Sequence, residues 1–256
     1  MRLEYKYLVS TDLLQSLRSD LMPFCEEDRF TGTGEIKEYT VRSIYFDTLN
    51  LDYYFDKIEG HPYRKKVRVR GYNDLQPKSD IFLEIKRKFQ NYISKNRAVV
   101  RYCKLEELLR TGDVSRFVLP GHGQTMLLEE AKRFFFHVKS RFLQPVVLVV
   151  YDREAFFCKF KKGLRITFDK NIRTLSSPVL GDLFQEDHLR LIKPKHFVLE
   201  IKFSKGFPKW LQEMIQRYGL KQVPFSKYNM CIDNLRVCQP KARSVISRRL
   251  PAFQNY

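Results

Sequence analysis

The four residues Leu-Glu-Ile-Lys occur twice inside strand-like runs, at Leu83 to Lys86 and at Leu199 to Lys202. Successive side chains on a strand point to opposite faces, so each copy puts Leu and Ile on one side and Glu and Lys together on the other. A third run, Tyr63-Arg64-Lys65-Lys66-Val67-Arg68-Val69-Arg70-Gly71, separates its valines from Arg64, Lys66, Arg68 and Arg70 in the same way. A row of cations repels itself unless it faces open water or a polyanion. Arginine suits phosphate because its planar guanidinium grips two oxygens as a fork, while lysine supplies a compact charge. Glu4 and Lys6 repeat the acid-x-base spacing, and carboxylate oxygens of this kind suit Mg²⁺ or Mn²⁺. Glu4, Glu84 and Glu200 are therefore the candidate metal ligands, Glu200 foremost. Together these runs predict the lining of a cavity for a polyphosphate. The plainer alternatives are an edge strand charged against aggregation and exposed ion pairs that stabilise by only about 0–1 kcal/mol each.

Other basic positions extend the pattern. Lys88 continues the face of Lys86, and Lys95 and Arg97 follow after a short turn, either as further lining or as a solvated loop. Arg153 and Arg165 sit in otherwise apolar strands, where an arginine meets a buried acid or an exposed face. Lys227 follows Ser226, a candidate helix cap, and free backbone donors at a helix start favour an anion. The five histidines are isolated, so no zinc cluster or Ser-His-Asp set assembles from spacing. Neither a P-loop nor a dinucleotide-binding glycine fingerprint is present.

Composition narrows the partner. The 256 residues carry a formal charge of +18 with 43% hydrophobic content, enough for a packed core around a polyanion-binding surface. Nucleic acid, an anionic membrane surface and a phosphorylated small molecule all satisfy the charge. A nucleic-acid interface calls for a continuous outer basic face and has no use for Glu4, Glu84 and Glu200 within it, so no specific nucleic-acid partner is expected. Five scattered cysteines with no Cys-x-x-Cys pair point to a reducing cytosol. The longest aliphatic run, residues 146–150, is far short of the roughly 18 residues that cross a bilayer, and no export signal is read at the N-terminus.

The elements that must position these residues follow from periodicity. Strands are predicted for Leu3 to Val9, Glu38 to Asp47, Arg64 to Gly71, Ile81 to Lys88, Pro145 to Phe157, Gly163 to Asp169 and His196 to Phe203. Helices are predicted after Ser10, with Leu13, Leu14, Leu17 and Leu21 as the buried stripe, and over Lys104 to Arg110, Glu129 to Ser140, Lys209 to Tyr218 and Lys227 to Leu235. No β-α-β rhythm appears, so the expected class is α+β around a mainly antiparallel sheet closed upon itself, with peripheral helices. One domain is expected over residues 1–235, followed by a basic tail over 236–256 that touches an anionic surface.

Glu4 to Val9, Val41 to Thr48, Arg64 to Arg70, Phe82 to Lys86, Tyr151 to Arg153, Leu199 to Lys202 and Ser226 to Tyr228 occur in an order that resembles the VTC domain. That domain is the polyphosphate polymerase of the vacuolar transporter chaperone, in the triphosphate tunnel (CYTH-like) superfamily. The resemblance covers nearly the whole chain. It implies a closed antiparallel β-barrel whose inner wall binds a triphosphate and Mn²⁺ or Mg²⁺, and transfer of the γ-phosphoryl group of ATP to inorganic polyphosphate in the cytoplasm. On the matching positions it implies that Lys6, Arg68, Arg70, Lys86, Lys202 and Lys227 act at the reacting phosphates. Arg42, Lys95, Arg153 and Arg165 would hold phosphate beside them, joined by Lys66 and Lys88 from the basic runs, and Glu200 would hold the metal. A triphosphatase and a non-catalytic polyphosphate-binding protein are the alternatives. The chain shows neither an SPX-like segment nor membrane helices, which leaves transport coupling and inositol phosphate sensing outside what the resemblance implies.

Overall fold

Alternation of apolar and charged residues resolves into ten strands of one hydrogen-bonded sheet. The computed structural model describes residues 3–28, 37–90, 92–119, 124–204 and 206–237; nearly all of the expected basic tail lies outside them. In chain order the elements are β1 (Leu3–Ser10), α1 (Leu14–Leu21), β2 (Cys25–Glu27), β3 (Glu38–Asp47), α2 (Asp52–Ile58), β4 (Tyr63–Tyr72), β5 (Asp80–Phe89) and β6 (Tyr92–Arg101). There follow α3 (Leu105–Thr111), α4 (Val114–Phe117), α5 (Gln124–Ser140), β7 (Gln144–Cys158), β8 (Arg165–Ser176), β9 (Arg190–Leu191), β10 (His196–Phe203), α6 (Lys209–Arg217) and α7 (Lys227–Val237). The strands run β1-β10-β8-β7-β3-β4-β5-β6, every pairing antiparallel, with β2 added beside β7 and β9 beside β8.

The convex face explains the apolar half of each repeat. Leu83 and Ile85 pack with Val67, Val69, Leu105, Leu108 and Phe134 under α3 to α5. Leu199 and Ile201 join Leu17 and Leu21 of α1 and Leu211 and Met214 of α6 in a second cluster. Burying each such side chain is worth on the order of 1.5–3 kcal/mol, so the two Leu-Glu-Ile-Lys strands are fixed in register by separate cores. A one-residue slip of either would turn its Glu and Lys into that core. A third cluster lies on the concave face, where α7 lays Tyr228 and Cys231 against Tyr45, Val147 and Val149.

Two expectations are corrected and one open alternative is resolved. The hydrogen-bonded ladder is not closed: among the described residues β1 and β6 end the path unpaired with each other. The reason is that β1's free edge is taken by residues 222–223, through a Tyr7–Gln222 bridge and a bond from Val223 N to the Lys6 carbonyl at 2.9 Å. What spans the remaining gap is ionic, Lys86 of β5 reaching Glu4 of β1 at 3.5 Å. The segment holding Lys95 and Arg97 is strand β6 and not a loop, and α2 appears where no helix was predicted. Asp47 explains α2, since its carboxylate accepts from the Tyr53 and Tyr54 amides at 3.0 Å each and so caps the helix from outside it.

Gly71 closes the basic run because a ring covers it. A Cβ built there would lie 2.6 Å from the Phe184 ring. Gly71→Ala is expected to cost about 1–3 kcal/mol through overpacking, read as a lower urea midpoint. An unchanged midpoint would mean that Phe184 swings away freely.

Candidate functional site

Strand register gathers the cations. Arg68 of β4 and Arg97 of β6 stand directly opposite Glu84 from its two sides. Glu84 is 1% exposed. Arg68 approaches its carboxylate at 2.6 and 2.8 Å, Lys95 at 2.6 Å, Arg97 at 3.0 Å and Arg70 at 4.0 Å. Burial drives a carboxylic acid's pKa up, but Arg68, Arg70 and Lys95 outweigh it and hold Glu84 far below the usual carboxylate range. One anion thus organises four cations and leaves most of their charge unmatched.

The opposing wall follows the same rule with more acid. Arg153 of β7 stands opposite Asp169 of β8 and binds it at 2.6 and 2.8 Å, and Lys227 reaches the same buried carboxylate from α7. Lys227 also lies 4.7 Å over the Tyr151 ring. Glu200 of β10 faces Lys6 of β1 in register, with Lys202 at 3.1 Å, Lys6 at 3.5 Å and Arg153 at 3.6 Å. Glu4 lies one diagonal step along the ladder and holds Lys6 at 2.7 Å. Across β8 from Glu200, the Thr167 hydroxyl is buried without a hydrogen-bond partner.

Two cavities lie along this face. The first, of about 330 Å³, is lined by Glu4, Lys6, Arg64, Lys66, Lys86, Lys88 and residues 222–226 among others. Lys66 donates to Ser226 Oγ at 2.6 Å, and no described carboxylate is ion-paired with it. Burial, then Lys6, Lys86 and Arg68, push its pKa well below that of an ordinary lysine. Lys202 is likewise lowered, to about 8, because burial exceeds the pull of Glu200. The second cavity, of about 700 Å³, carries Arg97, Arg165, Tyr39, Tyr72, Phe82 and Phe157 beside Glu26, Glu27 and Asp28. There Arg165 donates to Asp28 at 2.9 Å and to the Tyr39 hydroxyl at 3.0 Å.

Most of the expected side chains therefore converge on the concave face, with Lys88 and Arg165 in the cavity walls. Arg42 does not. Alternation puts it opposite Ser43, whose hydroxyl accepts from Arg70 on the concave side at 3.0 Å. Arg42 instead is 2% exposed on the convex side, bound to Glu186 at 2.6 Å and Asp74 at 3.2 Å. The three expected metal ligands are also not one cluster: among the described residues no group of three or more His, Cys, Asp or Glu is placed to hold an ion. Glu84 belongs to the arginine wall, and only Glu4 and Glu200 remain neighbours. Asp169 was not singled out from sequence, although it shares β8 parity with Arg165. Tyr45 was missed too; its hydroxyl accepts from Arg68 at 2.9 Å, and Arg68 and Arg70 overcome burial to lower its pKa.

Comparison with known proteins bears on this geometry. A family model described as the VTC domain matches residues 1–236. Subunit 4 of the vacuolar transporter chaperone complex of Schizosaccharomyces pombe (strain 972 / ATCC 24843) is 22% identical over 225 residues, covering 75% of this chain and 31% of that protein. Subunit 2 from the same organism is 27% identical over 231 residues, covering 77% and 31%. The chain thus spans about a third of the length of these relatives. Among solved structures it is similar to the PH1819 protein of Pyrococcus horikoshii OT3, at 13% identity and a TM-score of 0.47 over 91% of this chain and 99% of that one. The capping enzyme triphosphatase of Mimivirus gives 11% identity and a TM-score of 0.32 over 84% and 88%.

Two measurements test the electrostatics. With Lys66 and Lys202 deprotonating below the ordinary lysine range, the empty site loses charge as pH rises through about 8. A bound anion favours their charged forms, so inorganic triphosphate should bind more weakly at pH 9 than at pH 7 and take up protons on binding. Calorimetry in two buffers of different ionisation enthalpy reads both; flat affinity without proton uptake would show these lysines already charged. Glu84→Gln removes the buried anion of Arg68, Arg70, Lys95 and Arg97, two of which water partly screens, and should cost about 1–3 kcal/mol, partly restored by saturating triphosphate. A urea midpoint unchanged in the variant would remove Glu84 from that organising role.

Proposed function

The chain belongs to the VTC domain family, and from that premise and the geometry of its concave face we propose that it is a metal-dependent enzyme transferring the γ-phosphoryl group of ATP to a growing inorganic polyphosphate chain. The observation that carries this is the excess of cations over carboxylates on the concave face, where Glu84 alone meets Arg68, Arg70, Lys95 and Arg97. Such a surface favours a polyanion, and Lys66, whose hydrogen-bond partner among the described residues is the Ser226 hydroxyl, gains most from one.

The chemistry needs no side-chain nucleophile. The terminal phosphate of a polyphosphate is already anionic near neutral pH, so its oxygen attacks the γ-phosphorus directly while the bond to the β-phosphate's bridging oxygen breaks and ADP departs. What the protein supplies is alignment of two mutually repelling anions and neutralisation of charge on the transferring group and leaving diphosphate. We assign Arg68, Arg70 and Lys86 to one side of the phosphates and Lys6, Arg153, Lys202 and Lys227 to the other. Lys66, Lys88, Lys95 and Arg165 extend that grip outward. The stacking surfaces of Tyr39, Tyr72, Phe82 and Phe157 make the second cavity the better seat for the nucleoside. We place the reaction in the cytosol, where ATP is supplied.

A divalent ion fits at Glu200 with Glu4. Two neighbouring carboxylates beside the unpartnered Thr167 hydroxyl offer hard oxygen donors, and Mg²⁺ or Mn²⁺ commonly takes only one or two carboxylates, completing its shell with water and substrate phosphate. When bound, it would draw charge from the phosphate oxygens. The acids here also hold Lys6, Arg153 and Lys202 in place, so the protein's own contribution persists without the ion.

Incubation of the protein with ATP and Mn²⁺ or Mg²⁺, followed by separation of products on a gel, tests this directly. Long phosphate chains are expected. Orthophosphate alone would convert the proposal to a triphosphatase, and tight triphosphate binding without turnover to a polyphosphate-binding protein. Glu200→Gln is expected to lower metal-dependent turnover at least a hundredfold, on the order of 3 kcal/mol of transition-state stabilisation, measured below the variant's own unfolding midpoint because Glu200 also holds Lys6, Arg153 and Lys202. Full activity in that variant would exclude the metal role.

A further inference from the structure

The rim of the first cavity has a composition that phosphate transfer does not require. Where β4, β5 and β6 end, the outermost register row is Tyr63, Phe89 and Tyr92, paired directly side by side. These rings are 46%, 51% and 73% exposed, with Tyr63 and Phe89 centred 6.5 Å apart. The next three rows along the same strands hold no carboxylate; alternation puts Lys65 and Arg87 on the face of the rings and turns Arg64, Lys66, Lys86, Lys88 and Lys95 to the concave side. The patch continues past the end of α5, where Arg141 and the 86% exposed Phe142 lie. His137 of α5 reports the local field, since burial and then Lys65, Arg87 and Arg141 push its pKa down to about 4.

We propose that this rim seats the protein on an anionic phospholipid surface, with Tyr63, Phe89 and Tyr92 at headgroup depth and Lys65, Arg87 and Arg141 against acidic headgroups. Aromatic rings beside long cationic side chains match the polar-to-apolar gradient of a membrane interface. A hydrated polyphosphate would use the cations and gain nothing from an exposed row of rings. A protein partner is the poorer fit because lysine is depleted at the centre of protein interfaces. Such docking would turn the first cavity toward the bilayer surface.

The test is co-sedimentation of the full chain with phosphatidylcholine vesicles containing roughly one third phosphatidylserine, against phosphatidylcholine alone. Binding is expected only to the anionic vesicles, weakening between about 0.1 and 0.5 M salt. Replacing Tyr63, Phe89 and Tyr92 together by serine should weaken it on the order of tenfold or more, and Arg87→Gln with Arg141→Gln about 25-fold, at roughly fivefold per charge. Saturating inorganic triphosphate, which fills the cation-lined face, should leave vesicle binding in place, and Phe160→Ser, an exposed ring outside the patch, should change nothing. Circular dichroism checks that each variant is folded. Equal binding by the folded aromatic variant, binding abolished by triphosphate, equal binding to neutral vesicles, or no vesicle binding at all would each overturn the proposal. Failure of the polymerase assay would leave it standing, since it rests on the rim alone.

Discussion

Like charges held a few ångströms apart in a poorly solvated interior are the constraint on which this structure depends. Two unit charges 4 Å apart repel by about 4 kcal/mol even at an effective dielectric constant near 20, and the concave face gathers many such pairs. Glu84, Asp169 and Glu200 make that tolerable. Each stands opposite a cation in strand register, at Arg68 and Arg97, at Arg153, and at Lys6. The acids do not cancel the field; they fix where the cations point and leave a surplus for an incoming anion to satisfy.

Holding that surplus inward requires a rigid exterior. The convex face meets the need with two apolar clusters under separate helix sets, so neither charged strand can slip without burying Glu and Lys in hydrocarbon. Arg42 belongs to this exterior work, tying β3 to Asp74 and Glu186. The sheet remains open along its ladder because residues 222–223 occupy the edge of β1. An ion pair, Lys86 to Glu4, bridges the gap that backbone bonds leave.

The two ends of the concave face differ in kind. One combines arginine with aromatic rings and carboxylates around Asp28 and Tyr39; the other is cationic with an outer fringe of exposed rings. A uniform basic groove would have treated its ligand alike throughout. This asymmetry is a property of the strand ends, where the inward cation pattern stops and side chains facing out begin to decide what the protein meets.

Much of this was legible in alternation alone. Arg68, Arg70, Glu84, Lys86, Glu200 and Lys202 could be placed on one face because a strand's period of two separates them from their valine, leucine and isoleucine neighbours. The α+β class and most strands followed from the same signal. Arg42 is different, because alternation sets it on the face of Ile44 and Phe46, whatever motif it belongs to. Asp169 has the same parity as Arg165 and Thr167, but a single acid at the end of a predicted strand carries no signal of the partner it meets. What sequence could not supply was distance between strands remote along the chain. That Glu84 meets four cations while Glu200 neighbours Glu4, that Tyr228 and Lys227 enter from α7, and that β1 gives its edge to residues 222–223 were decided by how the sheet curls, because side-chain parity fixes a face and only tertiary packing fixes what that face meets.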